Sequence, residues 1–152
     1  MAIDRERIAV ALFATVSGAA RFVTTNRRLR HWSDVLPPEQ PALFMSEKGG
    51  EATTEGRTFN MPVIHTLHFD FYIYAHSSDP YRSPAMILNP LIDAVELALS
   101  PTFAPDGSIT GFNTLGLDGM VMWARVHGKV ATDEGVLGDQ TFAIVPVEVR
   151  AV

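Results

Sequence analysis

The sequence predicts an α+β fold, in which a mostly antiparallel sheet carries two packed helices in the order α-β-β-β-α-β-β. Three observations lead there. Apolar residues recur at helical spacing near the N-terminus and again around residue 95. Alternation of apolar and polar residues runs from Val63 to Ala75, and two further alternating stretches close the chain. No repeat, low-complexity tract or linker divides the 152 residues, so residues 1–152 are expected to form a single α/β domain. A chain of this size can bury roughly 68–70% of the surface exposed by its unfolded form, enough for a core without metal or disulfide support.

Residues 4–19 form the first predicted helix. Asp4 is a suitable N-cap, and Ile3 before it can pack onto Ile8. Ile8, Leu12 and Val16, with Ala11, Thr15 and Ala19, make one apolar face, and Gly18 marks the end. Arg27 to Val35 alternates as a short strand, with Leu29 and His31 opposite Arg28, Arg30 and Trp32. The run from Leu36 to Pro41 holds three prolines, which donate no ladder hydrogen bond and so stop the strand. Ala42 to Glu47 is a second strand with Leu43 and Met45 on one face. It leads into Gly49-Gly50 and a polar stretch to Arg57, read as a long flexible hairpin loop.

Val63 to Ala75 is the clearest strand. Val63, Leu67, Phe69, Phe71, Ile73 and Ala75 share one face; Thr66, His68, Asp70, Tyr72 and Tyr74 share the other. Its length exceeds the usual ~3–10 residues, which suggests a hairpin, shared with residues 42–47, that protrudes past the core. Ser83-Pro84 and Asn89-Pro90 both resemble the opening of a helix. The main helix is expected over 90–99, with Leu91, Val95 and Leu99 inward, Leu88 just before it, and Asp93 and Glu96 outward. Pro105 to Ser108 is a turn. Gly119 to Val130 is a strand with Met120, Met122, Ala124 and Val126 alternating against Trp123, Arg125, His127 and Lys129. Asp133 to Asp139 is a turn-rich connection. Gln140 to Val149 alternates Ala143, Val145, Val147 and Val149 against Phe142, Ile144, Pro146 and Glu148, and Pro146 places this strand at an edge or a bulge.

Composition narrows the function. The net charge is −5, whereas a surface that grips nucleic acid needs clustered cations; the one basic cluster is Arg27, Arg28 and Arg30. With no cysteine, disulfides, thiolate metal sites and cysteine nucleophiles are excluded. The N-terminus lacks the apolar run of a signal peptide, and no apolar stretch approaches the ~20 residues that span a bilayer. No membrane partner is expected. The 19% charged content is low and fits a surface partly covered by partners.

Motifs give catalysis no support, so no catalytic, cofactor-binding or metal-binding residues are assigned. His65 and His68 lie on opposite faces of a strand and cannot share a metal. His68 and Asp70 share a face, and His76 would continue the row; a metal-dependent enzyme built on these three is the alternative. Asp133-Glu134-Gly135 lacks the spacing of a calcium loop. Trp32, Trp123, Tyr72 and Tyr74 are side chains of the kind that anchor interfaces.

Arg27-Arg28-Leu29-Arg30-His31-Trp32-Ser33-Asp34-Val35, followed by Gln40-Pro41-Ala42-Leu43-Phe44, resembles a family of tailed-phage minor tail proteins. So do Leu88-Asn89-Pro90-Leu91-Ile92-Asp93-Ala94-Val95 and the closing Gly128-Lys129-Val130, Thr132-Asp133-Glu134-Gly135 and Gly138-Asp139-Gln140. The similarity runs over about residues 3 to 150, and the element order is similar to that of lambda-like tail terminators and their tail-completion relatives. The resemblance implies a virion protein at the head–tail junction, assembled in the host cytoplasm. It would form a homo-oligomeric ring, expected to be hexameric, that caps the tail tube protein and meets the head-closure or connector protein. Genomic DNA would pass through the lumen without specific binding. A head-closure or neck adaptor protein of the same junction is the neighbouring alternative. No enzyme activity and no cofactor go with such a family. The residues expected at assembly interfaces are Glu47, Lys48, Gly49, Gly50, Glu51 and Arg57 of the hairpin, His68, Asp70, Tyr72 and Tyr74 of the long strand, and Arg28, Arg30 and Trp32. The hairpin loop from Glu47 to Arg57 is expected to order only against a partner.

Overall fold

The computed structural model describes residues 3–54, 58–134 and 138–152. Among them, two α-helices pack on one face of a six-stranded, mostly antiparallel sheet, and a separate two-stranded hairpin follows the second helix. This is the α+β class that the two periodicities predict, with shorter strands added to the predicted order.

Helix α1 spans Arg5–Ser17. Asp4 caps it, its carboxylate accepting from the Arg7 amide at 2.9 Å, and Gly18 closes it. Ile8, Ala9, Leu12 and Val16 are buried. Ile8, Leu12 and Val16 each contribute roughly 1.5–3 kcal/mol by leaving water, so the stripe fixes which way the helix faces. Strand β1 (Thr24–Asn26) runs parallel to β2 (Ala42–Thr53), which pairs antiparallel with β3 (Ile64–His76). Helix α2 (Ala85–Ala98) crosses the same face as α1 and buries Leu88, Ile92 and Val95. Strands β4 (Thr102–Phe103) and β5 (Ile109–Gly111) form the small hairpin. Strand β6 (Val121–Val126) and β7 (Ala131–Glu134) both pair with β8 (Gln140–Ala151), so the sheet order is β1-β2-β3-β8-β6 with β7 also on β8. The core lies between the helices and the inward residues of β2, β3 and β8, including Leu43, Phe69, Phe71, Ile73, Val145 and Val147.

Several expectations are corrected. Arg27–Val35 is not a strand. The Arg28 amide donates to Asn26 Oδ1 at 2.9 Å, and the Ser33 amide donates to His31 Nδ1 at 3.3 Å to open a 3-10 turn at Trp32–Asp34. Such local bonds give the backbone an alternative to the ladder. The hairpin does not loosen at Glu47: β2 continues to Thr53 through a register shift between Glu47 and Gly50. Gly49-Gly50 is therefore a bulge and not a loop; Gly49 takes φ +78°, and a Cβ on Gly50 would stand 2.5 Å from the Thr66 carbonyl oxygen. Nor does β3 leave the sheet, since it stays paired with β8 as far as His65–Ala151. It begins at Ile64, which leaves Val63 at the surface.

Helix α2 starts at Ala85, just past Ser83-Pro84, so Pro90 lies inside it and not at its opening. Ile92 is the buried residue where Leu91 was expected; Leu91 is half-buried. Strand β6 is shorter than predicted and slips in register between Val121 and Trp123, so Val121 and Ala124 are inward while Met122 is exposed. Strand β7 takes in Asp133 and Glu134 of the expected turn-rich tract, and 135–137 lie outside the described residues. Most tellingly, β8 is a central strand despite Pro146. The Pro146 carbonyl accepts from the His127 amide, so its missing donor faces the gap between β6 and β7, where no ladder partner stands.

Candidate interface on the open sheet face

Both helices occupy one face of the sheet, so the alternate residues of β2, β3, β8 and β6 form an open face. Strand register sorts them into rows. Ala42, Tyr74 and Phe142 align, as do Phe44, Tyr72 and Ile144, then Ser46, Asp70 and Pro146. Beyond them come His68, Glu148 and Arg125, and finally Thr66, Arg150 and Trp123.

The first rows are apolar and partly roofed by residues 27–41. Val35, Ala42, Phe44 and Tyr74 form a small second core, with Trp32, Tyr72 and Phe142 packed against it. The roof is tied down by polar contacts. Tyr74 donates its hydroxyl to the Arg30 carbonyl, and Arg30 pairs with Glu39 at 3.1 Å. The Arg30 guanidinium, together with the Leu36 amide, holds the Glu39 carboxyl below the usual carboxylate range. Gln40, also buried, donates to the Val35 carbonyl and to Gln140. Between roof and sheet a groove of about 370 Å³ is lined by Leu29, Trp32, Tyr72, Phe142 and Ile144 among others.

The further rows are charged. Lys48 lies 4.0 Å from Asp70, His68 3.6 Å from Glu51, and His127 3.5 Å from Glu148. The Arg125 guanidinium stacks on the Trp123 ring at 4.0 Å, with that of Arg150 at 6.0 Å. A cation over an indole face is attracted by the ring quadrupole, which holds both guanidinia in place.

The predicted interface residues thus divide. Arg30, Trp32, Tyr72 and Tyr74 gather at the groove, where Arg30 is engaged internally; Lys48, Glu51, His68 and Asp70 gather in the charged rows. Glu47 lies on the helix side, 3.6 Å from Arg27, which also pairs with Glu6; Arg27 holds the Glu6 carboxyl below its usual range. Gly49 and Gly50 shape the bulge, Arg28 is exposed on the turn after β1, and Arg57 lies outside the described residues. His68, Asp70 and His76 do not converge. His76 stands eight residue steps along the strand from His68, about 26 Å. Among the described residues no three His, Cys, Asp or Glu side chains are close enough to hold a metal ion. None of the described helices is long and apolar enough to cross a membrane.

Phe142, Ile144, Glu148, Arg125 and Arg150 complete the face but were absent from the predicted interface. The alternation that places Phe142, Ile144 and Glu148 opposite the core carried the signal. A second feature had none: between β2 and β3, Phe59 is fully exposed and Met61 half-exposed.

The sequence matches no protein-family model and no curated protein.

Proposed function

We propose that the chain is a structural subunit of a phage tail, of the terminator type. Copies of it close into a ring that caps the completed tail tube and offers its other side to the head connector. The motifs at residues 27–44, 88–95 and 128–140 and the helix–strands–helix–strands order support this reading. The observation that carries it is the tip of the β2–β3 hairpin, where Phe59 and Met61 stand in solvent. Large exposed apolar side chains beyond the paired strands are suited to seat on another protein.

The test is electron microscopy of tails assembled with and without the protein. Over-long tubes in its absence support termination. Tubes of normal length beside unjoined filled heads would instead assign it to the neck, as a head-closure adaptor, and complete virions without it would sink the proposal. Phe59→Ser with Met61→Ser is expected to abolish capping of tubes while leaving the subunit folded.

A further inference from the structure

Both broad faces carry charged side chains without an ion-pair partner among the described residues. On the open sheet face the acids Asp70, Glu51 and Glu148 are each paired with Lys48, His68 and His127. Arg125 and Arg150 form no ion pair among the described residues, although Glu148 stands beside Arg125 in the ladder. Arg150 Nε is buried without a hydrogen-bond partner there, and such an unmet donor carries a desolvation cost. Across the molecule, the outward stripe of α2 carries Met86, Asn89, Pro90, Asp93, Glu96 and Leu97, all exposed. Asp93 and Glu96 form no ion pair among the described residues, and Leu97 beside them is 76% exposed.

We infer that the outward stripe of α2 in one copy docks on the open sheet face of the next, with Asp93 and Glu96 meeting Arg125 and Arg150. The two faces lie on opposite sides of the sheet, so the contact is head-to-tail and repeats; with a suitable rotation it closes into a ring. Trp123 already holds the guanidinia in place, which lowers the entropy lost when carboxylates arrive. Leu97 and Met86 supply apolar area next to the charges, and the groove at Tyr72 and Ile144 offers a place to bury it. Of the other charges without an ion pair among the described residues, Arg21, Asp79 and Arg82 sit on connections and not on a face, whereas Arg5 and Arg7 lie on α1 and Asp133 on β7. Nucleic acid is the less favoured occupant, because Asp70, Glu51 and Glu148 flank the two arginines and would repel a phosphate track.

This inference rests on the ring reading above but is tested apart from any tail. The purified chain is followed by light scattering and sedimentation over a concentration series at low and high salt. Wild type is expected to associate, less so at high salt. Arg125→Glu with Arg150→Glu, and separately Asp93→Lys with Glu96→Lys, should each weaken association by about a hundredfold, since like charges then face each other. A one-to-one mixture of the two double variants should associate again, because each swapped face then meets its complement. Circular dichroism checks folding, and Arg125→Glu alone, at an exposed position, stands in if the change at Arg150 unfolds the chain. A monomeric wild type at its highest attainable concentration, double variants that associate like wild type, or a mixture that stays monomeric would each overturn the contact. So would a short DNA duplex that binds at Arg125 and Arg150 while the protein alone remains monomeric. If the contact holds but tails are complete without the protein, the tail assignment fails and the contact stands.

Discussion

The Tyr74 hydroxyl, near the end of β3, donates to the Arg30 carbonyl oxygen at 2.6 Å and so fastens the roof segment to the centre of the sheet. Tyr74 is 5% exposed and packs against Phe44 and Phe142, with ring centroids at 5.5 and 6.5 Å. Removing the hydroxyl keeps this packing but leaves the carbonyl without that donor. Tyr74→Phe is expected to cost about 1 kcal/mol, read as a lower denaturant midpoint at unchanged slope. An unchanged midpoint would mean that the roof is held by Arg30–Glu39 and Gln40 alone.

The same residue sets an alkaline limit. Burial pushes the Tyr74 hydroxyl up to about 12, above the ordinary value of 10.0. In the unfolded chain the group loses its proton near 10, while the folded chain keeps it; folding stability is therefore full below pH 10 and declines between 10 and 12. The loss should be on the order of 1–2 kcal/mol across that window. The stability difference between wild type and Tyr74→Phe should shrink over the same range. A difference that stays constant from pH 9 to 12 would contradict the burial argument.

Sequence periodicity located the long elements well because each has one face in the core: Ile8, Leu12 and Val16 on α1, Phe69, Phe71 and Ile73 on β3, Ala143, Val145 and Val147 on β8. It failed where local polar bonds or partner geometry decide. Arg27 to Val35 alternates, but Asn26 and His31 bond the nearby backbone and turn the chain aside. Thr24-Thr25-Asn26 has no apolar alternation, yet it pairs with β2 at the sheet's edge. Pro146 signalled an edge that the split between β6 and β7 supplies inside the sheet. The open face was half legible: the polar side of β3 was evident, whereas its completion by Arg125 and Arg150 depends on cross-strand register, which no single strand reveals.

One misread phase gives a direct comparison. Alternation placed Met122 on one side with Ala124, while the slip in β6 buries Val121 at 3% exposure and leaves Met122 at 38%. Val121→Ala should therefore cost roughly 1–2 kcal/mol, from lost burial and the space left behind. Met122→Ala should fall within about 0.5 kcal/mol of wild type. Equal or reversed costs in denaturant unfolding would restore the simple alternation.

Gly50 provides the sharpest test of the β2–β3 hairpin. A methyl group there would stand 2.5 Å from the Thr66 carbonyl oxygen and 2.9 Å from Leu67 Cδ2. The leucine side chain can move, but the carbonyl belongs to a β3 backbone that β8 holds on its other side through Thr66–Arg150 and Leu67–Val149. Gly50→Ala must therefore push β2 outward and strain the rows Gly50–Leu67 and Glu51–Thr66. The expected cost is about 1–3 kcal/mol, as for other overpacked sites. Faster amide exchange should be concentrated in residues 47–53 and leave α1 and β8 as protected as before. Gly49→Ala probes the same bulge differently: nothing stands within 4 Å of its Cβ, and only the φ of +78° opposes it. It should cost roughly 1 kcal/mol, from backbone strain alone. A Gly50→Ala chain as stable as wild type would show that the strands are not locked together at the bulge.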